Sequence, residues 1–152
     1  MPRKILLVCS GNTCRSPMAE AIMRKVIESE FPEMAGEFLV ESAGVSAIDG
    51  MAASDNALAA AAEIGLDLSA HRARLLTEEL VSDADIILAM EGKHMAGILA
   101  LYPRAAGRVH TLADVDIADP FGSPLQEYMR ARDEIEAAVR RSLSLINRGG
   151  TG

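Results

Sequence analysis

The hydrophobic positions of this chain fall into two alternating periods. Ile5-Leu6-Leu7-Val8 is an unbroken apolar run, the pattern of a strand buried on both faces. Ser16-Pro17 then predicts a helix start, with Ser16 as N-cap and Pro17 in the first turn. Met18, Ile22 and Val26 continue it as an i, i+4 apolar stripe. Phe38-Leu39-Val40 is a second strand candidate. Ala52 to Ile64 reads as an Ala-rich helix closed by Gly65 at C′, and Thr77 as the cap of a short helix reaching Val81. Ile86-Ile87-Leu88 is a third strand, Lys93 to Leu101 a helix ended by Pro103, and Val109 to Leu112 a fourth strand. The longest helix is expected from Pro124 to Asn147, within the usual boundary error, with Leu125, Met129, Ile135, Val139, Leu143 and Ile146 along one side. Residues 149–152, rich in glycine, read as a disordered tail.

Strands that alternate with helices imply an α/β fold, a four-stranded parallel sheet with helices on both faces. The chain shows no repeat, low-complexity tract or linker, so residues 1–152 are expected to form one domain. In such sheets ligands bind beyond the carboxyl ends of the strands, where the topology switches. The segment after the first strand therefore lies at the favoured place.

Composition narrows the function. Aromatic residues make up only 3% of the chain and Trp is absent, so the core must rest on aliphatic side chains and Met. The formal net charge is −7 and no Lys/Arg stripe is present, which argues against nucleic acid as a partner. No apolar run is long enough for a signal-peptide core or a membrane span, so a soluble cytoplasmic protein with no membrane partner is expected. The two cysteines, Cys9 and Cys14, make neither a secreted disulfide framework nor a CxxC zinc pair. Neither metal nor cofactor is expected. An acidic chain can still bind an anion where a local site overrides the global field.

Cys9-Ser10-Gly11-Asn12-Thr13-Cys14-Arg15-Ser16 meets that demand. Gly11 and Asn12 tolerate unusual φ values, so the chain can curl with its N–H groups inward, and the following helix presents its positive end to the same point. Arg15 adds a guanidinium fork that matches phosphate. A thiol beside a helix N-terminus and an arginine is expected to have a lowered pKa, so Cys9 should be a thiolate able to attack phosphorus in line. Backbone N–H groups and Arg15 would then stabilise the equatorial oxygens, and the product would be a phosphocysteine. Either residue alone reads more simply as a buried strand-end thiol or a surface cation. The spacing and the strand–helix context together favour chemistry.

A Cys-x5-Arg-Ser loop directly after the first strand resembles the low-molecular-weight protein tyrosine phosphatase family. Glu41-Ser42-Ala43-Gly44, His71-Arg72-Ala73-Arg74 and Asp119-Pro120-Phe121-Gly122 extend the resemblance over nearly the whole chain. It implies that Asp119 is the general acid, with Asp114 and Asp116 as nearby rivals and a plain turn aspartate as the simpler reading. Chemistry independently asks for a carboxyl over the site to protonate the leaving atom. It also implies that Asn12 holds a left-handed conformation tied to Ser16, Ser42 and His71, and that the Ser16 hydroxyl assists Cys9 as leaving group. Otherwise Ser16 is only an N-cap, Ser42 a turn serine and His71 a surface histidine. Cys14 is either the partner of Cys9 in a protective disulfide, which would make the enzyme redox-sensitive, or a small buried thiol. His94 and His110 carry no pattern and read as structural or solvent-exposed.

Two features depart from the commonest tyrosine-specific pattern: Thr13 in place of Ile, and Phe121-Gly122 in place of two aromatics. Both resemble the protein-arginine phosphatases of the same family. A planar, donor-rich guanidinium is better matched by a loop hydroxyl than by a methyl, so Thr13 and Phe121 are candidate selectivity residues. The expected activity is hydrolysis of phosphorylated protein side chains, phosphoarginine first and phosphotyrosine as the alternative. An arsenate reductase on the same fold would need two further cysteines, which are absent after Cys14. A non-catalytic phosphoprotein-binding module would need the anion cradle but neither Cys9 nor Asp119.

Overall fold

The structure is a computed structural model that describes residues 2–149. Its elements are β1 (Arg3–Cys9), α1 (Arg15–Glu30), β2 (Phe38–Gly44), α2 (Asp55–Glu63), α3 (Glu78–Asp83), β3 (Ile86–Ala89), α4 (Gly92–Leu101), β4 (Val109–Thr111) and α5 (Leu125–Gly149). The four strands form one parallel sheet in the order β2-β1-β3-β4. The α/β fold read from the alternation is the fold observed. The order places the topological switch between β1 and β3, so the crevice lies beyond Cys9 and Ala89.

Alternation along β1 divides the core in two. Ile5, Leu7 and Cys9 pack with α1, α2 and α5 on one face, and Leu6 and Val8 pack toward α3 and α4 on the other. Residues 5–8 are all essentially without solvent exposure. At about 1.5–3 kcal/mol for each large apolar side chain buried, β1 is a rigid base for the loop that follows it.

Local chemistry shifts several expected boundaries. The helix predicted from Ala52 starts at Asp55, because Ser54 caps it by accepting from the Ala57 N–H at 3.4 Å. Gly65 follows the C-cap residue Ile64 with φ 81°, in the left-handed region expected of C′. Thr77 caps α3 through the Leu80 N–H at 3.2 Å. The fourth strand stops at Thr111, one residue short of the expectation. Gly149, expected to open a disordered tail, is instead the last residue of α5, and residues 150–152 lie outside the described residues.

One prediction fails at α1. Ser16 is not the N-cap. Cys14 occupies that position, no side chain caps the helix, and Ser16 is the second residue within it. The Ser16 hydroxyl is engaged elsewhere, as the site shows. Among the described residues, no helix is long and apolar enough to cross a membrane.

Candidate active site

The chain leaves β1 at Cys9, paired in register with Gly44 of β2. The Val45 and Ser46 N–H groups donate to the Cys9 and Ser10 carbonyls at 3.0 and 2.9 Å, so the chain beyond β2 runs directly against the loop. Only glycine fits at position 44. A Cβ there would lie 2.5 Å from the Ser10 carbonyl oxygen and 2.9 Å from the Asn12 nitrogen.

Asn12, with φ 56°, is the one non-glycine residue with positive φ among the described residues. That conformation costs about 1–2 kcal/mol, and the surroundings hold it in place. The Asn12 Oδ1 accepts from the Arg74 N–H at 2.9 Å, and its carbonyl accepts from His71 Nε2 at 2.8 Å. Its Nδ2 donates to Ser16 Oγ at 2.7 Å and to Ser42 Oγ at 3.0 Å. Because the Arg74 N–H can only donate, the orientation of the Asn12 amide is fixed.

That orientation makes the network directional. Ser42 accepts from Asn12 and donates to Glu20 Oε1 at 2.5 Å. Ser16 accepts from Asn12 and so has its own hydrogen free for Cys9 Sγ, 3.0 Å away. The Asn12 N–H donates to the same sulfur at 3.3 Å. Two donors therefore converge on Cys9.

The pKa of Cys9 departs from the sequence expectation. Burial pushes the thiol up from its ordinary value, and it outweighs the Ser16 hydrogen bond, the Arg15 charge and the Asn12 N–H, which all act downward. The neighbours expected from the sequence are present, but the depth of burial was not legible in it. Ser16 is the strongest of the groups that favour the thiolate.

Arg15 is 1% exposed. Its Nη1 donates to Glu91 Oε2 at 2.6 Å and to the Ile117 carbonyl at 2.7 Å, which fixes the plane of the guanidinium. Its Nε is buried and without a partner among the described residues. A buried guanidinium N–H left unpaired is costly, and an oxyanion on the loop would satisfy it.

The three candidate aspartates separate clearly. Asp114 pairs with Arg141, and Asp116 Oδ1 accepts from the Gly92 N–H at 2.9 Å at the start of α4. Asp119 alone lines the cleft of Cys9. Its Oδ2 lies 3.6 Å from Arg15 Nη2, and its Oδ1 accepts from the Phe121 N–H at 3.0 Å. Its side chain is 45% exposed, open to a leaving group and to water.

The cleft has a volume of about 260 Å³, and its walls include Ser10, Thr13, Cys14, Ser46 and Phe121. Phe121 is 71% exposed. Cys14 is buried with its sulfur 3.3 Å from Ser54 Oγ and 3.6 Å from the Tyr128 hydroxyl. Burial and the Cys14 thiol push the Tyr128 phenol up. A larger polar cavity of about 350 Å³ lies behind the loop, against Glu20, Ser42 and His71, and neither Cys9 nor Arg15 lines it.

Several site residues were not read from the sequence. Glu91 carries no motif, yet it follows β3, beside the switch point, where the strand order would have singled it out. His94, which reads as structural or exposed, is 2% exposed and hydrogen-bonded through Nε2 to Ser10 Oγ at 2.8 Å. Burial, followed by the Arg15 charge, lowers its pKa. Ser54 and Tyr128 are brought to the loop only by tertiary packing.

Fold and loop together define a cysteine-dependent protein phosphatase. Comparison with known proteins gives the family: the chain belongs to the low molecular weight phosphotyrosine protein phosphatases, matched over residues 4–150. It is 41% identical to a protein-arginine-phosphatase of Geobacillus stearothermophilus, covering 93% of this chain and 94% of that one. It is 39% identical to a probable low molecular weight protein-tyrosine-phosphatase, EpsP, of Ralstonia nicotianae, covering 91% and 92%. Among solved structures it resembles a Cys-to-Ser mutant of the YwlE arginine phosphatase with a phosphorylated active-site serine, with TM-score 0.89, 36% identity and 97% coverage of each chain.

Proposed function

We propose that this chain hydrolyses phosphoarginine side chains of cytoplasmic proteins, with Cys9 as nucleophile, Arg15 as phosphate ligand and Asp119 as acid and base. The observation that carries the substrate is Thr13 on the wall of the Cys9 cleft. Its hydroxyl offers an acceptor to a guanidinium, where an isoleucine would offer only a methyl. The arginine phosphatase similar to this chain supports the same reading.

In the first step the Cys9 thiolate attacks phosphorus, the S–P bond forms and the P–N bond breaks. Asp119 gives its carboxyl proton to the departing nitrogen. The unpaired Arg15 Nε–H and the loop amides hold the equatorial oxygens. In the second step the Asp119 carboxylate takes a proton from water as that water attacks phosphocysteine. The S–P bond breaks, phosphate leaves and the thiolate returns, stabilised by Ser16 and the Asn12 N–H.

A second reading, phosphotyrosine, is favoured by the exposed Phe121 ring on the same wall, which can pack against a phenyl group. The two are separated by kcat/KM for phosphoarginine and phosphotyrosine peptides on wild type and Thr13→Ile. The proposal expects wild type to prefer phosphoarginine, and Thr13→Ile to lose that activity while keeping phosphotyrosine turnover. Preference of wild type for phosphotyrosine, or equal loss of both activities in Thr13→Ile, overturns it.

A further inference from the structure

His94 is a buried polar side chain with a single purpose visible in its surroundings. It sits in α4 at 2% exposure, its Nε2 bonds only Ser10, and its Nδ1 is buried without a partner among the described residues. A ring held for packing alone would be replaced at lower desolvation cost by an apolar side chain. The groups around it are Arg15 from α1, Glu91 and Lys93 beside it, and Asp116 from the segment after β4. Glu91 is already engaged by Arg15 at 2.6 Å and lies 3.8 Å from the His94 ring. The bond to Ser10 is therefore the one short polar contact that fixes the imidazole.

Ser10 lines the cleft, and it is the wall residue whose side chain the His94 imidazole holds. With Thr13 and Ser46 it completes a set of three hydroxyl side chains on walls shared with Asp119 and Phe121. In either imidazole tautomer, the Ser10 oxygen keeps a lone pair beyond its bond to His94. Such an acceptor suits a ligand made of N–H donors and is wasted on a phenyl ring.

We infer that Ser10, oriented by His94, is a second selectivity residue, hydrogen-bonding the guanidinium of phosphoarginine as that group leaves. The inference rests on the phosphoarginine reading above. Ser10 is the residue that meets the substrate, and His94 is a positioning residue that acts through it. A site that hydrogen-bonds its substrate discriminates by the loss of that bond, which an apolar wall cannot do.

The test uses the full chain as Ser10→Ala, His94→Leu and His94→Gln. It measures kcat/KM for phosphoarginine and phosphotyrosine peptides and inhibition by vanadate. In Ser10→Ala and His94→Leu the ratio of phosphoarginine to phosphotyrosine kcat/KM should fall about tenfold, the loss of one hydrogen bond. Vanadate affinity should fall by less than that ratio does. His94→Gln keeps an amide in reach of Ser10 and should recover most of the ratio, which guards against misfolding of the leucine variant. The double variant Ser10→Ala with His94→Leu should lose no more selectivity than either single one. An unchanged ratio with both peptides and vanadate weakened alike would make the pair a scaffold of the loop and overturn the inference alone. A wild type that turns over phosphotyrosine and not phosphoarginine overturns both this inference and the reading beneath it.

Discussion

Ser16 points its hydroxyl hydrogen at the sulfur of Cys9 across 3.0 Å, because Asn12 already occupies its acceptor side. This explains why a residue expected to cap α1 does not do so: its oxygen serves the nucleophile. Ser16 is the largest influence favouring the Cys9 thiolate against burial. Ser16→Ala should therefore raise the pKa of Cys9 further. The thiolate is the reactive form, so the acid limb of kcat/KM must move to higher pH. Activity at pH 7 should fall about tenfold for each pKa unit of movement and recover as pH rises. The pH profile, together with the rate of Cys9 alkylation by iodoacetamide, checks this. A pH-independent loss would assign Ser16 to loop structure alone.

Asp119 lines the cleft while Asp114 and Asp116 are bonded elsewhere. Asp119→Ala should cost about 10²–10⁴ in kcat on a substrate with a poor leaving group. A leaving group that departs without protonation should be affected much less in the first step. A series of aryl phosphates of graded leaving-group pKa reads the effect as a steeper slope in the variant. Equal loss across the series would remove Asp119 from the role of acid.

Gly44 approaches the loop too closely for any side chain, with Ser10 O and Asn12 N in the way. Both obstacles are backbone, so the loop itself must shift in Gly44→Ala. Thermal unfolding should show a loss of about 1–3 kcal/mol, typical of forced overpacking. Phosphate affinity should fall with it, since the loop donors move. A stable variant with full phosphate affinity would show that β2 yields instead.

Cys14 is buried beside Ser54 and Tyr128, and both cysteines are free thiols. Mild peroxide should inactivate the protein with an intact-mass loss of two hydrogens, reversed by a dithiol. Cys14→Ala should instead gain oxygen and lose activity irreversibly. Oxygen gain in wild type without hydrogen loss would exclude a Cys9–Cys14 bond.

What could be read in advance divides by distance along the chain. The loop from Cys9 to Ser16 and the strand before it are local, and their residue types announce an anion site at that position. The sheet followed from alternating apolar runs, since each run has the composition of a buried strand. At the start of α1, Ser16-Pro17 is a local cap signal that is overridden by Asn12 and Cys9 across the loop. Glu91, His94 and Tyr128 reach the site from other elements, through packing that no local pattern records. The pKa of Cys9 failed for the same reason: charge neighbours are visible in sequence, and burial is not.

The cleft has a floor and a rim of different character. Asn12, Arg15 and Ser16 are fully buried and locked by hydrogen bonds, Asn12 to Ser16 and Arg15 to Glu91, whereas Phe121 stands exposed over the same opening. A lineage carrying this fold could therefore exchange rim residues one at a time without a folding penalty, while a change in the floor would fail at once. Diversification of substrates would proceed by drift at positions 13 and 121, with the hydrolytic chemistry inherited intact. A directed-evolution library confined to those two positions is the economical way to obtain new specificities from this scaffold.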